Sequence, residues 1–153
     1  MMEFHDTLPL NQESLRALRA LLRKSPRFFS VNFAVCDDSG TQERAIEALK
    51  EDFEALNVVT LPPGTHDPFG YVKEHVQPAP RDGVLITGLD DVIGSERDLE
   101  VFFAALNASP RRWKAWFAVP VVIWLSDAAD TAIRHRAPDF WEWHESRFDF
   151  TAQ

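Results

Sequence analysis

The chain has 153 residues, a formal net charge of −8 and a hydrophobic fraction of 45%, with 12 Phe and 5 Trp. That length fits one domain of roughly 100–200 residues, and the apolar content excludes a globally disordered chain. The acidic balance speaks against a nucleic-acid backbone or an anionic membrane as the main partner. A single cysteine, Cys36, excludes an intramolecular disulfide and suits a reducing cytoplasm. Residues 1–10 carry acids and Pro9 where a secretory signal needs a basic region and an apolar run. The longest apolar run, from Trp116 to Leu125, is too short to span a bilayer and contains Pro120. The expectation is a soluble cytoplasmic domain.

In chain order, Leu15, Leu18, Leu21 and Leu22 recur at helical spacing behind Asn11, a natural N-cap, so a helix is predicted over 11–23. Ser25-Pro26 ends it. Residues 1–26 read as an N-terminal helical extension packed beside an α/β domain over 27–153. Phe28 to Cys36 reads as the first strand, and Ala45, Ile46, Leu49, Phe53 and Leu56 define an amphipathic helix over 41–56. A short strand over 58–61 ends at Pro62-Pro63-Gly64, a helix over 68–76 follows, and Pro78, Pro80 and Asp82-Gly83 mark a loop. Val84 to Thr87 and Val121 to Leu125 are continuous apolar runs, the pattern of strands buried on both faces. Between them Ser95 caps a helix running to Leu106, and a second short helix spans 110–118. A helix over 127–134, an aromatic segment over 138–143 and a last strand over 147–150 complete the reading. Strands alternating with helices predict a three-layer α/β sandwich with a mainly parallel sheet.

In such a sheet, ligands bind at the C-terminal ends of the strands. A nucleotide site there needs backbone amides around a phosphate, a lysine on it and a hydroxyl on magnesium, which is the GxxxxGK[ST] pattern. The turn after the first strand holds Asp37, Asp38, Ser39, Gly40 and Thr41, with Gln42 and Glu43 where Lys and Ser/Thr belong. Two acids also oppose a phosphate. The third strand runs into Thr87-Gly88-Leu89-Asp90-Asp91, and the fourth ends at Ser126-Asp127.

From Phe28 to Phe150, these segments resemble in their order the P-loop domain of signal-transduction NTPases of the NACHT/STAND type. Gly88, Leu89, Asp90 and Asp91 match the end of that family's Walker B motif, while Thr87 stands where the magnesium-coordinating aspartate would be. Val119 to Asp127 resembles the sensor strand, and Ala137 to Trp143 resembles a segment of degenerate members at the start of bacterial multidomain proteins. The resemblance implies a P-loop-like fold. With both nucleotide motifs degenerate, it implies a non-catalytic regulatory or scaffolding domain of a larger bacterial signalling protein, with no cofactor and no metal.

Two alternatives remain open at this stage. A cryptic nucleotide- or phosphate-binding enzyme would need Arg44 or Arg112 to reach the turn at 37–41. A receiver-like phospho-switch would use Asp37 and Asp38 for magnesium, Asp90 as acceptor and Ser126 as the hydroxyl, but it lacks the lysine that receivers carry after the fifth strand. His135 and His144, beside Asp139, Glu142 and Glu145, lack the spacing of a known zinc motif. A Ser126–His135–Asp127 assembly lacks a GxSxG elbow. Cys36 reads as a buried structural thiol. Arg111, Arg112 and Lys114 around Trp113, with Trp116, form the one compact basic and aromatic segment. Arg111, Arg112, Trp113 and Trp116 are therefore the candidates for docking a protein partner or an adjoining domain.

Overall fold

The computed structural model describes residues 10–24, 28–76, 82–94 and 99–150. Its five strands are β1 (Ser30–Val35), β2 (Leu56–Thr60), β3 (Gly83–Thr87), β4 (Pro120–Leu125) and β5 (His144–Asp149). They form one sheet in the order β2-β3-β4-β1-β5, and every pairing is parallel. The helices are α1 (Gln12–Arg23), α2 (Ser39–Asp52), α3 (Pro68–His75), α4 (Leu89–Gly94), α5 (Leu99–Asn107), α6 (Pro110–Trp116), α7 (Asp127–Arg136) and α8 (Pro138–Glu142).

The strand order decides where the helices go. The connection from β1 to β2 runs one way across the sheet, past β4 and β3, and the three later connections run back the other way. Right-handed crossovers then place α2 on one face and α3 to α8 on the opposite face. The core divides accordingly. Leu15, Leu18 and Leu22 of α1 join Ala45, Ile46 and Leu49 of α2 against Ala34, Leu85, Val122 and Trp124. On the other face, Val31, Phe33, Ile86 and Ile123 meet Phe69, Phe102, Phe103, Trp113, Ile133 and Phe140. Period-two alternation along β1, β3 and β4 supplies both layers from the same short runs. The fold is thus a three-layer α/β sandwich, and α1 lies in the layer of α2. Its amphipathic leucine stripe and the Asn11 cap on the Ser14 amide make that helix.

The element boundaries depart from the periodicity in instructive places. The pattern carried α2 to Leu56, but the helix ends at Asp52. Phe53 leaves helical geometry (φ −132°, ψ 95°) and buries its ring with the Arg23 guanidinium 5.6 Å above it. The strand that follows accordingly starts at Leu56, two residues earlier than its apolar run suggests. β5 starts at His144, ahead of the predicted Arg147, because ladder bonds to β1 extend the strand through a polar stretch at the sheet edge. Asp90 and Asp91, read as the end of a strand motif, lie in the first turn of α4. Ser95, Pro78 and Pro80 lie outside the described residues.

Candidate functional site

β1 and β4 are neighbours whose following helices lie on opposite faces, so the switch point of the sheet falls between their C-terminal ends. This is where a doubly wound sheet opens a crevice. A cleft of about 210 Å³ lies there, lined by Cys36, Asp37, Ser39, Gln42, Gly88, Asp90, Asp91 and Trp124. Ligand pockets run to roughly 300–1,000 Å³. The three carboxylates in its lining face no lysine or arginine of that lining.

The chain's own carboxylates satisfy the helix ends around this cleft. Asp90 accepts from the Ser126 amide with both oxygens at 3.2 Å and from the Ser126 hydroxyl at 2.9 Å. Asp37 accepts from the Asp127 amide at 2.9 Å. Ser126 in turn caps α7 by accepting from the Ala129 amide at 3.0 Å. Across the cleft, Asp38 is the N-cap of α2 and accepts from the Thr41 amide at 2.8 Å and the Thr41 hydroxyl at 2.7 Å. A phosphate would seek these same amides at a helix N-terminus.

The Thr41 hydroxyl and amide, with a smaller contribution from Arg44, hold the Asp38 carboxyl below its usual pKa. A folded-state pKa below the unfolded one means that ionised Asp38 adds stability above the unfolded value and loses it as pH falls through the folded one. We expect Asp38→Asn to have a lower Tm than wild type at pH 7. The gap should narrow as pH falls below the ordinary aspartate range, since other carboxylates titrate alike in both proteins. Thermal melts followed by circular dichroism across that range test this; a gap independent of pH would mean that the charge plays no part.

The sequence-derived candidates separate on this frame. Asp90 and Ser126 do come together. Ser126 bonds to Asp90 and to its own helix, and no bond to His135 is among its contacts. His144 stacks on Phe33 at 4.6 Å with Nδ1 against the Trp141 carbonyl. Among the described residues no group of three or more His, Cys, Asp or Glu is placed to hold a metal ion. Cys36 is buried and donates to the Asp38 carbonyl. Burial, with the charges of Asp38 and Asp37, pushes its thiol pKa up, away from a reactive thiolate. Thr87 ends β3 with its hydroxyl 2.7 Å from that of Thr60, a pairing that ties β2 to β3.

The basic and aromatic segment also divides. Trp113 is 1% exposed, with Phe69 and Phe117 around it and its indole N–H on the Ser109 hydroxyl. It offers a partner no side-chain surface, which corrects its reading as a docking residue: its place on the inner face of α6 turns it into the core. Arg112 lies over the Phe69 ring at 4.6 Å and pairs with Asp67 at 3.6 Å. Neither Arg112 nor Arg44 lines the cleft. Trp116 is 53% exposed and the Lys73 ammonium sits 4.4 Å over its ring, whereas Arg111, also exposed, lines a separate pocket with Asn107, Asp139 and Trp143.

A second polar cluster escaped sequence reading. Asp130, buried on α7, accepts from the Trp141 indole at 2.9 Å and pairs with Arg147 of β5. Asn107 of α5 accepts from the Asp139 amide at 2.7 Å and so caps α8. These contacts join residues far apart in the chain, and only the helical phase of Asp130 hinted at its burial. No helix among the described residues is long and apolar enough to cross a membrane. No protein-family model matches the chain, and no curated protein matches it in sequence.

Proposed function

We propose that this domain is a non-catalytic regulatory or scaffolding module that acts by binding protein, within a larger bacterial signalling protein of the kind its resemblance to degenerate STAND domains implies. One observation carries the reading: at the switch point, the helix N-termini where a nucleotide phosphate would sit are capped by Asp37, Asp38 and Asp90 of the chain itself. A phosphate entering there would displace carboxylates already hydrogen-bonded and would meet Asp91 as well. Charge repulsion and the loss of caps both oppose it. The cleft also lacks the lysine that a P-loop supplies.

The nucleotide-binding alternative draws no support from this acid-lined cleft or from the position of Arg112. For the receiver alternative, Asp90 and Ser126 are paired as that reading requires. Receivers, however, order their strands 2-1-3-4-5, whereas this sheet runs 2-3-4-1-5. Asp38 is also engaged as a helix cap. For partner binding, the exposed Trp116 with Lys73 over its ring is the surface that the reading favours, since Trp is enriched among the residues that dominate interface energetics.

Calorimetric titration of ATP with magnesium into the protein is expected to give no saturable heat at millimolar nucleotide. Saturable binding at micromolar ATP, lost in Asp90→Arg, would overturn the reading.

A further inference from the structure

We infer that the outer edge of β2 is a self-association site, at which two copies of this chain pair antiparallel and continue one sheet into the other. The two edges of the sheet differ sharply. β5 carries His144, Glu145, Arg147 and Asp149 in six residues, and α1 holds its end through Asn11 and Ser14, both donating to the Asp149 carbonyl. Charged edges of this kind resist pairing with another chain. β2 reads Leu56-Asn57-Val58-Val59-Thr60, with neither a charge nor a proline. Among the described residues, no strand lies beyond it.

The geometry selects a second copy as the occupant. The Leu61 amide donates to the Thr87 carbonyl at 2.8 Å, so the backbone groups of Leu61, Val59 and Asn57 point toward β3. Alternation then turns the N–H and C=O of Val58 and Thr60 to the open edge. Val58 is the middle residue of the strand. A two-fold axis beside it sets Val58 opposite Val58 of the second copy, each giving its N–H to the other's carbonyl. The same register sets Thr60 opposite Leu56 of the second copy, with the Thr60 N–H donating to the Leu56 carbonyl. The Leu56 amide is already bonded to the Phe53 carbonyl, so that exchange needs only the one donor.

Side chains agree with this register. Val58 is 38% exposed, one of four large hydrophobics left open to solvent among the described residues, and alternation with Val59 of the opposite core turns it, like Leu56, to the α1/α2 face. In the paired sheet the two Val58 side chains cover each other as a cross-strand pair. No like charges meet within the strand, although each copy carries a net charge of −8. An edge-to-edge contact buries little area, so the association belongs to the weak class and is governed by concentration.

Sedimentation velocity from about 10 µM to 1 mM is expected to show a reversible monomer–dimer equilibrium. Val58→Lys should abolish it, because self-pairing would set two ammonium groups face to face, while Glu145→Lys on the β5 edge should leave it unchanged. Hydrogen exchange on the wild-type protein provides a readout free of any variant: amides of Val58 and Thr60 should gain protection as concentration rises, and that of Asn57 should not. A protein that stays monomeric at 1 mM overturns the inference. So does a dimer that persists in folded Val58→Lys, or one whose formation leaves the Val58 and Thr60 amides unprotected. Neither result bears on nucleotide binding.

Discussion

Trp113→Ala is expected to lower the unfolding free energy by about 3–5 kcal/mol, a large share of the ~5–15 kcal/mol that holds a domain of this size. The indole fills the space between α6, α3 and α8, in edge contact with Phe69 at 5.3 Å and facing Phe117 and Phe140. Truncation removes that apolar surface and leaves a cavity whose walls are rings that relax poorly. It also strands the Ser109 hydroxyl, which is fully buried and loses the indole as one of its partners while keeping the Leu106 carbonyl. Trp116→Ala, three residues on, is the contrast. Half its surface is exposed and its closest ring partner is the Lys73 ammonium. Its loss should cost only about 1 kcal/mol, on the order of an exposed cation–π contact. Urea unfolding followed by tryptophan fluorescence measures both. Equal effects would mean that α6 does not pack as described, and the division of this segment into a core residue and a surface residue would fail.

That division also shows what was legible in the sequence. The apolar runs at Val84 to Thr87 and Val121 to Leu125 announced buried parallel strands because both faces of those strands are covered. The leucine spacing of α1 and the Asn11 cap were equally direct. Trp113 and Trp116, by contrast, are separated by less than one helical turn in a seven-residue helix, and composition alone does not say which of two aromatics faces inward. The crossover directions decide that, and they emerge only when the strand order is known. At the cleft, the acids of the turn after β1 and the absence of a lysine from that turn were plain in the sequence. The capping of its helix ends was not, because it depends on Asp90 reaching Ser126 and Asp37 reaching Asp127, contacts between segments that follow strands adjacent only in space. Sequence reading paired Asp90 with Ser126 as a phospho-switch; the bond between them serves equally to cap the start of α7.

Gly88→Ala carries the second large expected effect, and it tests why this glycine stands between β3 and the acids of the cleft. Gly88 has φ +88°, a region that costs an L-residue about 1–2 kcal/mol. An added Cβ would also lie 2.4 Å from the Leu61 carbonyl oxygen and 3.0 Å from its nitrogen. Those are backbone atoms, and the Leu61 amide is itself bonded to the Thr87 carbonyl, so no side-chain rotation relieves the contact. Overpacking of this kind adds about 1–3 kcal/mol, for a total on the order of 2–5 kcal/mol. Gly64 supplies a matched control, since its φ is also +88° but nothing lies within 4 Å of its Cβ position. Gly64→Ala should therefore cost the conformational part alone, and the difference between the two variants isolates the close approach of the segments following β2 and β3. Any relief in Gly88→Ala must move Leu61 or the start of α4, and α4 carries Asp90. The amides of Ser126 and Asp127 should then shift in NMR spectra of Gly88→Ala and stay in place in Gly64→Ala. If the two variants lose equal stability, the glycine is needed only for its φ, and tight packing against Leu61 is not what presents Asp90 to α7.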